Sequence, residues 1–96
     1  MKKSLLLAKK MNLKLLFFAS LRERFGFSQK EIILSKQVGT TEEFLLDMSK
    51  QSGGEWVNLF ENKNMYKLAI NQELCSWKDP IHEGDELAIF PPITGG

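Results

Sequence analysis

The 96-residue chain is poor in the residue types that most often carry chemistry. It holds one cysteine, Cys75, and one histidine, His82. A single cysteine excludes an intramolecular disulfide and a Cys-rich zinc site. With one histidine beside it, a His/Cys metal cluster or a Ser-His or Cys-His catalytic set lacks members, so no metal site is expected. An excess of either charge is missing too. Thirteen basic against twelve acidic side chains leave a net charge of +1, which disfavours electrostatic binding to nucleic acid or an anionic membrane. Long apolar runs are absent. Leu5 to Ala8 is cut off by Lys9 and Lys10, and Leu15 to Ala19 leads to Arg22 with no small-x-small cleavage pattern. Neither approaches the roughly 18 to 20 apolar residues of a membrane span. A cytoplasmic location is therefore expected. What remains is 43% apolar residues with seven Phe, two Trp and one Tyr, and no repeat or linker. That is the composition of one small globular domain.

Leu13 to Phe18 reads as a buried first strand. Leu13, Leu15 and Phe17 share one face, and Lys14, Leu16 and Phe18 the other. Met11 is the better natural start. Residues 1–10 are expected to be a frayed extension, 11–92 the domain, and 93–96 an extended flexible tail. Ser20 to Phe25 suits a short helical turn that Gly26 can end in left-handed conformation. Gln29 to Leu34 reads as a second strand. Thr40 with Glu43 forms a capping-box signature for the main helix, about Thr41 to Gln51, whose apolar stripe is Phe44, Leu45 and Met48. Glu55 to Phe60 suits a second short helix. Tyr66 to Ile70 and Leu74 to Trp77 read as strands around an Asn71-Gln72 turn. Glu86 to Phe90 is the last strand, stopped by Pro91-Pro92. The order β-β-α-β-β-β predicts an α+β domain: a mixed sheet of about five strands, one face covered by one main helix. The first and last strands, both strongly apolar, are expected to lie side by side and parallel at the sheet centre.

The segment Phe90-Pro91-Pro92-Ile93-Thr94-Gly95-Gly96 is the most informative. A Gly-Gly end alone is a weak signal, but this one follows an apolar strand and two stiffening prolines. Four extended residues reach at most ~14 Å, enough to thread a narrow pocket on another protein. Without Cβ atoms, the glycines let an enzyme approach the backbone closely. A carboxylate is a poor acyl donor, but ATP can turn it into an acyl-adenylate open to attack by sulfur or an amine. The α-carboxyl of Gly96 is the reactive group on which this reading settles.

These residues carry a resemblance. LKLLFFASLRERFG (residues 13–26) and LAINQELCSWKDPIHEGDELAIFPPITGG (residues 68–96), with the helix between them, resemble the small, sulfur-carrying subunits of molybdopterin synthase over about residues 11–96. The most specific piece is GDELAIFPPITGG, with AINQ before it. The resemblance implies a ubiquitin-like β-grasp fold. It implies that Gly96 is adenylated by a partner activating enzyme using ATP and converted to a thiocarboxylate with sulfur from a donor system. Pro92, Ile93, Thr94, Gly95 and Gly96 would then insert into a large catalytic subunit. There two deliveries of sulfur to cyclic pyranopterin monophosphate make the dithiolene of molybdopterin. It further implies a heterotetramer of two small and two large subunits. The small subunit would have no bound cofactor and no active site of its own, so that it is not an enzyme by itself. Rival readings are a sulfur carrier of the thiamine thiazole type, a ubiquitin-like protein modifier, and a plain binding module.

Phe18 and Phe90 share parity with Lys14 and Glu86, away from the helix. Pattern alone leaves open a second small core or an exposed docking patch; the resemblance favours docking, with Ala88 and Leu16 nearby. Cys75 reads as a small apolar strand residue, and His82 as a solvated turn residue. Arg22, Glu23 and Arg24 read as a charged helix face. Asp79, Glu83, Asp85 and Glu86 form an acidic group too loose for calcium.

Overall fold

Strand β1 (Met11–Phe17) alternates strictly, with Met11, Leu13, Leu15 and Phe17 buried. This is the period of a strand packed on one face. In the computed structural model the described residues are 10–92. The expected strand ran from Leu13 to Phe18; the observed one starts two residues earlier and ends at Phe17. Met11 pairs with Leu34 and is 1% exposed, so it is a core residue. Helix α1 (Ser20–Phe25) follows, ended as expected by Gly26 at φ 85°. Strand β2 (Gln29–Leu34) returns antiparallel to β1.

Helix α2 (Thr41–Ser52) buries Phe44, Leu45 and Met48. The Thr40 side chain accepts the Glu43 N–H at 3.1 Å. The reciprocal bond expected of a capping box shifts by one residue: the Glu43 carboxylate accepts the N–H of Gly39 at 2.7 Å. The first helical N–H groups also find carbonyls of a distant loop, Thr41 to Asp79 and Glu42 to Trp77. Donors that a helix start leaves unpaired are thus satisfied by tertiary contacts. Helix α3 (Glu55–Glu61) and a short 3₁₀ turn (Lys63–Met65) lead into β3 (Lys67–Ile70). Strand β4 (Glu73–Cys75) pairs back on β3, and β5 (Glu86–Phe90) closes the order.

The sheet order is β2-β1-β5-β3-β4. β1 and β5 are parallel neighbours, the expected arrangement, and every other pairing is antiparallel. The face toward the helices carries Leu15, Phe17, Leu87 and Ile89, all buried with Phe44, Leu45 and Leu59. Phe17 stacks on Phe27 and packs at tilted angles against Phe25 and Trp56. This α+β layout, a mixed five-stranded sheet with helices on one face, is the one the sequence predicts.

Two further expectations change. The strand expected over Leu74 to Trp77 is confined to Glu73–Cys75. Trp77 leaves the ladder, is buried, and donates its indole N–H to the Lys63 carbonyl at 2.7 Å. Arg24 is not merely part of a solvated charged face. Its guanidinium donates to Glu55, Tyr66 and Asn58, each at 2.9 Å, and ties α1 to α3 and to the approach to β3. A planar fork of five N–H donors can serve three acceptors at once. Among the described residues no helix is long and apolar enough to cross a membrane.

Candidate functional site

Strand registers fix what lies on the sheet face away from the helices. Glu31, Lys14 and Glu86 align across β2, β1 and β5, a row of alternating charge. One step further, Gln29, Leu16, Ala88, Ala69 and Leu74 align across all five strands. At the end of the sheet Phe90 pairs with Lys67, and Phe18 lies just past β1. The open face is therefore charged toward one end and apolar toward the other.

The apolar end is a groove of about 910 Å³. Phe18 and Phe90 form one wall. Their rings stack in parallel, 4.6 Å between centroids with an 8° tilt, and Phe18 is 41% exposed. Met65 and Leu74 stand across from them, 59% and 81% exposed. Ala19, Lys67, Pro91 and Pro92 complete the lining. Large apolar side chains at this exposure, grouped around one depression, make a contiguous apolar patch that water still reaches. Pro91 and Pro92 line this groove, so the last described residues lie at the apolar end of the face.

Of the residues singled out in the sequence, Phe18 and Phe90 come together here. Ala88 shares their face but is 6% exposed; it sits in register between Leu16 and Ala69 and does not line the groove. Pro92 borders the groove. Ile93, Thr94, Gly95 and Gly96 lie outside the described residues. Sequence reasoning missed Met65, Lys67, Leu74 and Ala19. For Leu74 a signal existed. Asn71 and Gln72 both adopt positive φ, 51° and 73°, which makes a two-residue hairpin turn. That turn pairs Ile70 with Glu73 and Ala69 with Leu74, placing Leu74 on the face of Ala88. Met65, in a single 3₁₀ turn, has no period to betray it.

The other candidates do structural work. Cys75 is half-buried, and burial, with the nearby Asp79 charge, pushes its thiol up. This opposes thiolate formation and hence nucleophilicity. His82 is exposed, its ring Nδ1 3.8 Å from Asp85. The acidic residues serve as separate clasps. Asp79 accepts the Ser76 N–H, Asp85 accepts the Asn71 amide and the His82 N–H, and Glu83 accepts both the N–H and the side-chain amide of Asn12. Among the described residues no group of three or more His, Cys, Asp or Glu side chains is arranged to hold a metal ion.

Comparison with known proteins adds to this geometry. The model of the ThiS family matches residues 15–96. A molybdopterin synthase sulfur carrier subunit of Escherichia coli is 38% identical over 84 residues, covering 88% of this chain and 99% of that protein. The same-named subunit of Haemophilus influenzae is 37% identical with the same coverage. Among solved structures, SAMP1 from Haloferax volcanii superimposes with a TM-score of 0.66 at 22% identity, over 88% of this chain and 99% of that one. The architecture is thus that of the ubiquitin-like β-grasp neighbours.

Proposed function

The chain belongs to the ThiS family, and from that premise we propose that it is the sulfur carrier subunit of a molybdopterin synthase. Gly96 is its working residue. An activating enzyme uses ATP to adenylate the Gly96 carboxylate, and a sulfur donor displaces the adenylate to leave a thiocarboxylate. Docked on the large subunit, the chain presents this sulfur to cyclic pyranopterin monophosphate. Attack by sulfur forms a carbon–sulfur bond on the substrate as a carbon–oxygen bond there breaks and its oxygen leaves. Water then cleaves the acyl–sulfur bond and restores the carboxylate for reloading. Sulfur is a soft nucleophile, and a thiocarboxylate stays ionised at neutral pH. The bases and oxyanion donors belong to the large subunit; in this chain Cys75 is unsuited to nucleophilic work and His82 is a surface turn residue. The chain is therefore a protein-bound co-substrate, working in the cytoplasm in an assembly of two small and two large subunits. Residues 93–96 serve as the inserted tail, and ATP is consumed by the activating enzyme.

One observation carries this reading: the exposed apolar groove of Phe18, Phe90, Met65 and Leu74 ends at Pro91 and Pro92. A partner gripping the groove receives the following tail at its own surface. The near full-length relatives named as molybdopterin synthase sulfur carriers favour this role over another β-grasp carrier or a protein modifier.

Intact-mass analysis tests it. Incubation with an activating enzyme, ATP and a sulfur donor should add the mass of one sulfur-for-oxygen replacement. Adding the large subunit and cyclic pyranopterin monophosphate should return the chain to its starting mass as the dithiolene forms. Isopeptide adducts on lysines of other proteins, with no transferable sulfur, would instead establish a modifier.

A further inference from the structure

Within the groove, one lining residue is charged: Lys67. Three other lysines have partners within the chain, and none of the remaining described ones lines the apolar groove. Lys63 pairs with Glu42 and lies over the Phe60 ring, Lys36 reaches Asp47, and Lys30 lies over Phe27. The Lys67 ammonium has no ion pair among the described residues. Glu86, the acid of β5 on the same face, lies four residues along the strand from Phe90, the register partner of Lys67. That separation is about 13 Å, beyond pairing distance.

The position of Lys67 makes the missing partner consequential. It opens β3, with β5 on one side and β4 on the other. It is exposed and lines the groove together with Phe90, Met65 and Leu74. A lysine at the rim of an interface can extend its ammonium into water. Lys67 is exposed in the free chain and keeps that escape; a partner seated over Phe90, Met65 and Leu74 would remove it, and an uncompensated buried charge strongly opposes association.

We propose that Lys67 meets a carboxylate of the large synthase subunit when that subunit covers the groove, and that this pair sets which large subunits the carrier accepts. The inference rests on the sulfur-carrier reading and adds to it the chemistry of the partner's surface: an apolar projection that fills the groove, with an Asp or Glu beside it. Apolar contact supplies adhesion with little discrimination. A single enclosed charge pair supplies discrimination, because a large subunit with a neutral or basic residue there leaves Lys67 buried and unpaired.

The test is calorimetric titration of the wild-type chain, Lys67→Met and Lys67→Glu against a molybdopterin synthase large subunit, at low and high salt. Thermal melts of each variant establish that the fold is kept. The expected result is a loss of at least about tenfold in affinity for Lys67→Met, and a larger loss for Lys67→Glu. Scanning Asp and Glu residues of the large subunit's docking surface to Lys should yield one variant that restores binding of Lys67→Glu. A Lys67→Met chain that binds as well as wild type, or better, would overturn the inference, since the ammonium would then be a spectator or a partner of the chain's own tail. That result would leave the sulfur-carrier reading standing. A wild-type chain that bound no large subunit would overturn both.

Discussion

Phe90 separates two kinds of stability. A core ring such as Phe44, fully buried, is worth about 3–5 kcal/mol against alanine. Phe90 is half-buried on the open face, and its chief contact given by the geometry is the stack on Phe18, a pair worth ~0.5–1.5 kcal/mol beyond area. Phe90→Ala should therefore cost the monomer about 1 kcal/mol while weakening the complex with the large subunit by ~2 kcal/mol or more, as loss of an aromatic anchor does. Denaturant unfolding and calorimetric titration of the same variant compare the two; equal losses would make the stack a second core. Beside it, Ala19 holds φ 52° and ψ −128°, a region that residues with a Cβ enter at a cost of order 1–3 kcal/mol. Removing that methyl relieves the strain at the expense of a freer unfolded chain, about 0.5–1 kcal/mol. Ala19→Gly is expected to raise the unfolding free energy by up to ~1 kcal/mol, and a drop in the denaturant midpoint would show that no strain is stored there.

The turn before β5 shows how a short element is held in register. The Gly84 N–H donates to the Asn12 carbonyl at 2.7 Å, and the Lys14 N–H to the Asp85 carbonyl at 2.9 Å. Glu83 clasps Asn12 from the side through both carboxylate oxygens. The backbone N–H of Asn12, then its amide, hold the Glu83 carboxyl below the usual glutamate range. A carboxyl depressed by folding stabilises the fold above its unfolded pKa, and that contribution fades as pH falls through the folded value. Glu83→Gln should therefore melt below wild type at neutral pH, with the gap closing on acidification past the ordinary glutamate range. A gap constant from neutral to acid pH would mean that the clasp works without its charge. This contact was invisible in the sequence, where Glu83 reads as one of four loosely spaced acids. Strands β1 and β2 were legible because one buried face imposes alternation, and β5 because a short apolar run is stopped by two prolines. Arg24, Trp77 and Met11 were not. Each is placed by partners more than a dozen residues away, and neither periodicity nor local propensity encodes those. The same division runs through the site: parity put Phe18 and Phe90 on one face, whereas Met65 and Lys67 join them through a 3₁₀ turn and a pairing register that only the folded sheet defines.

On the sulfur-carrier reading, the folded body serves to fix where residues 93–96 begin. Among the described residues every buried side chain lies between Met11 and Ile89, and the groove that we assign to docking borders Pro91 and Pro92. Once Phe18 and Phe90 are seated, Pro92 has a fixed place relative to the partner's catalytic groups, and four residues remain to span the gap. Each extended residue adds about 3.3–3.6 Å. Productive attack needs reacting atoms within roughly 3–3.5 Å of one another, so a tail one residue short withdraws its terminal carbonyl by about the whole tolerance. The body cannot follow without unseating the groove. Deleting Gly96 should then leave the melting temperature unchanged, since the buried side chains of the described residues all lie between Met11 and Ile89, yet lower sulfur transfer by at least ~100-fold. Inserting one glycine between Thr94 and Gly95 should be the milder lesion. A longer tail can take up slack by bending, whereas a short one cannot stretch past its covalent limit. Single-turnover sulfur transfer from chains loaded to equal extent measures both. If insertion and deletion damaged transfer equally, the pocket would be reading the sequence of the tail, and its length would not be the quantity the docked body controls.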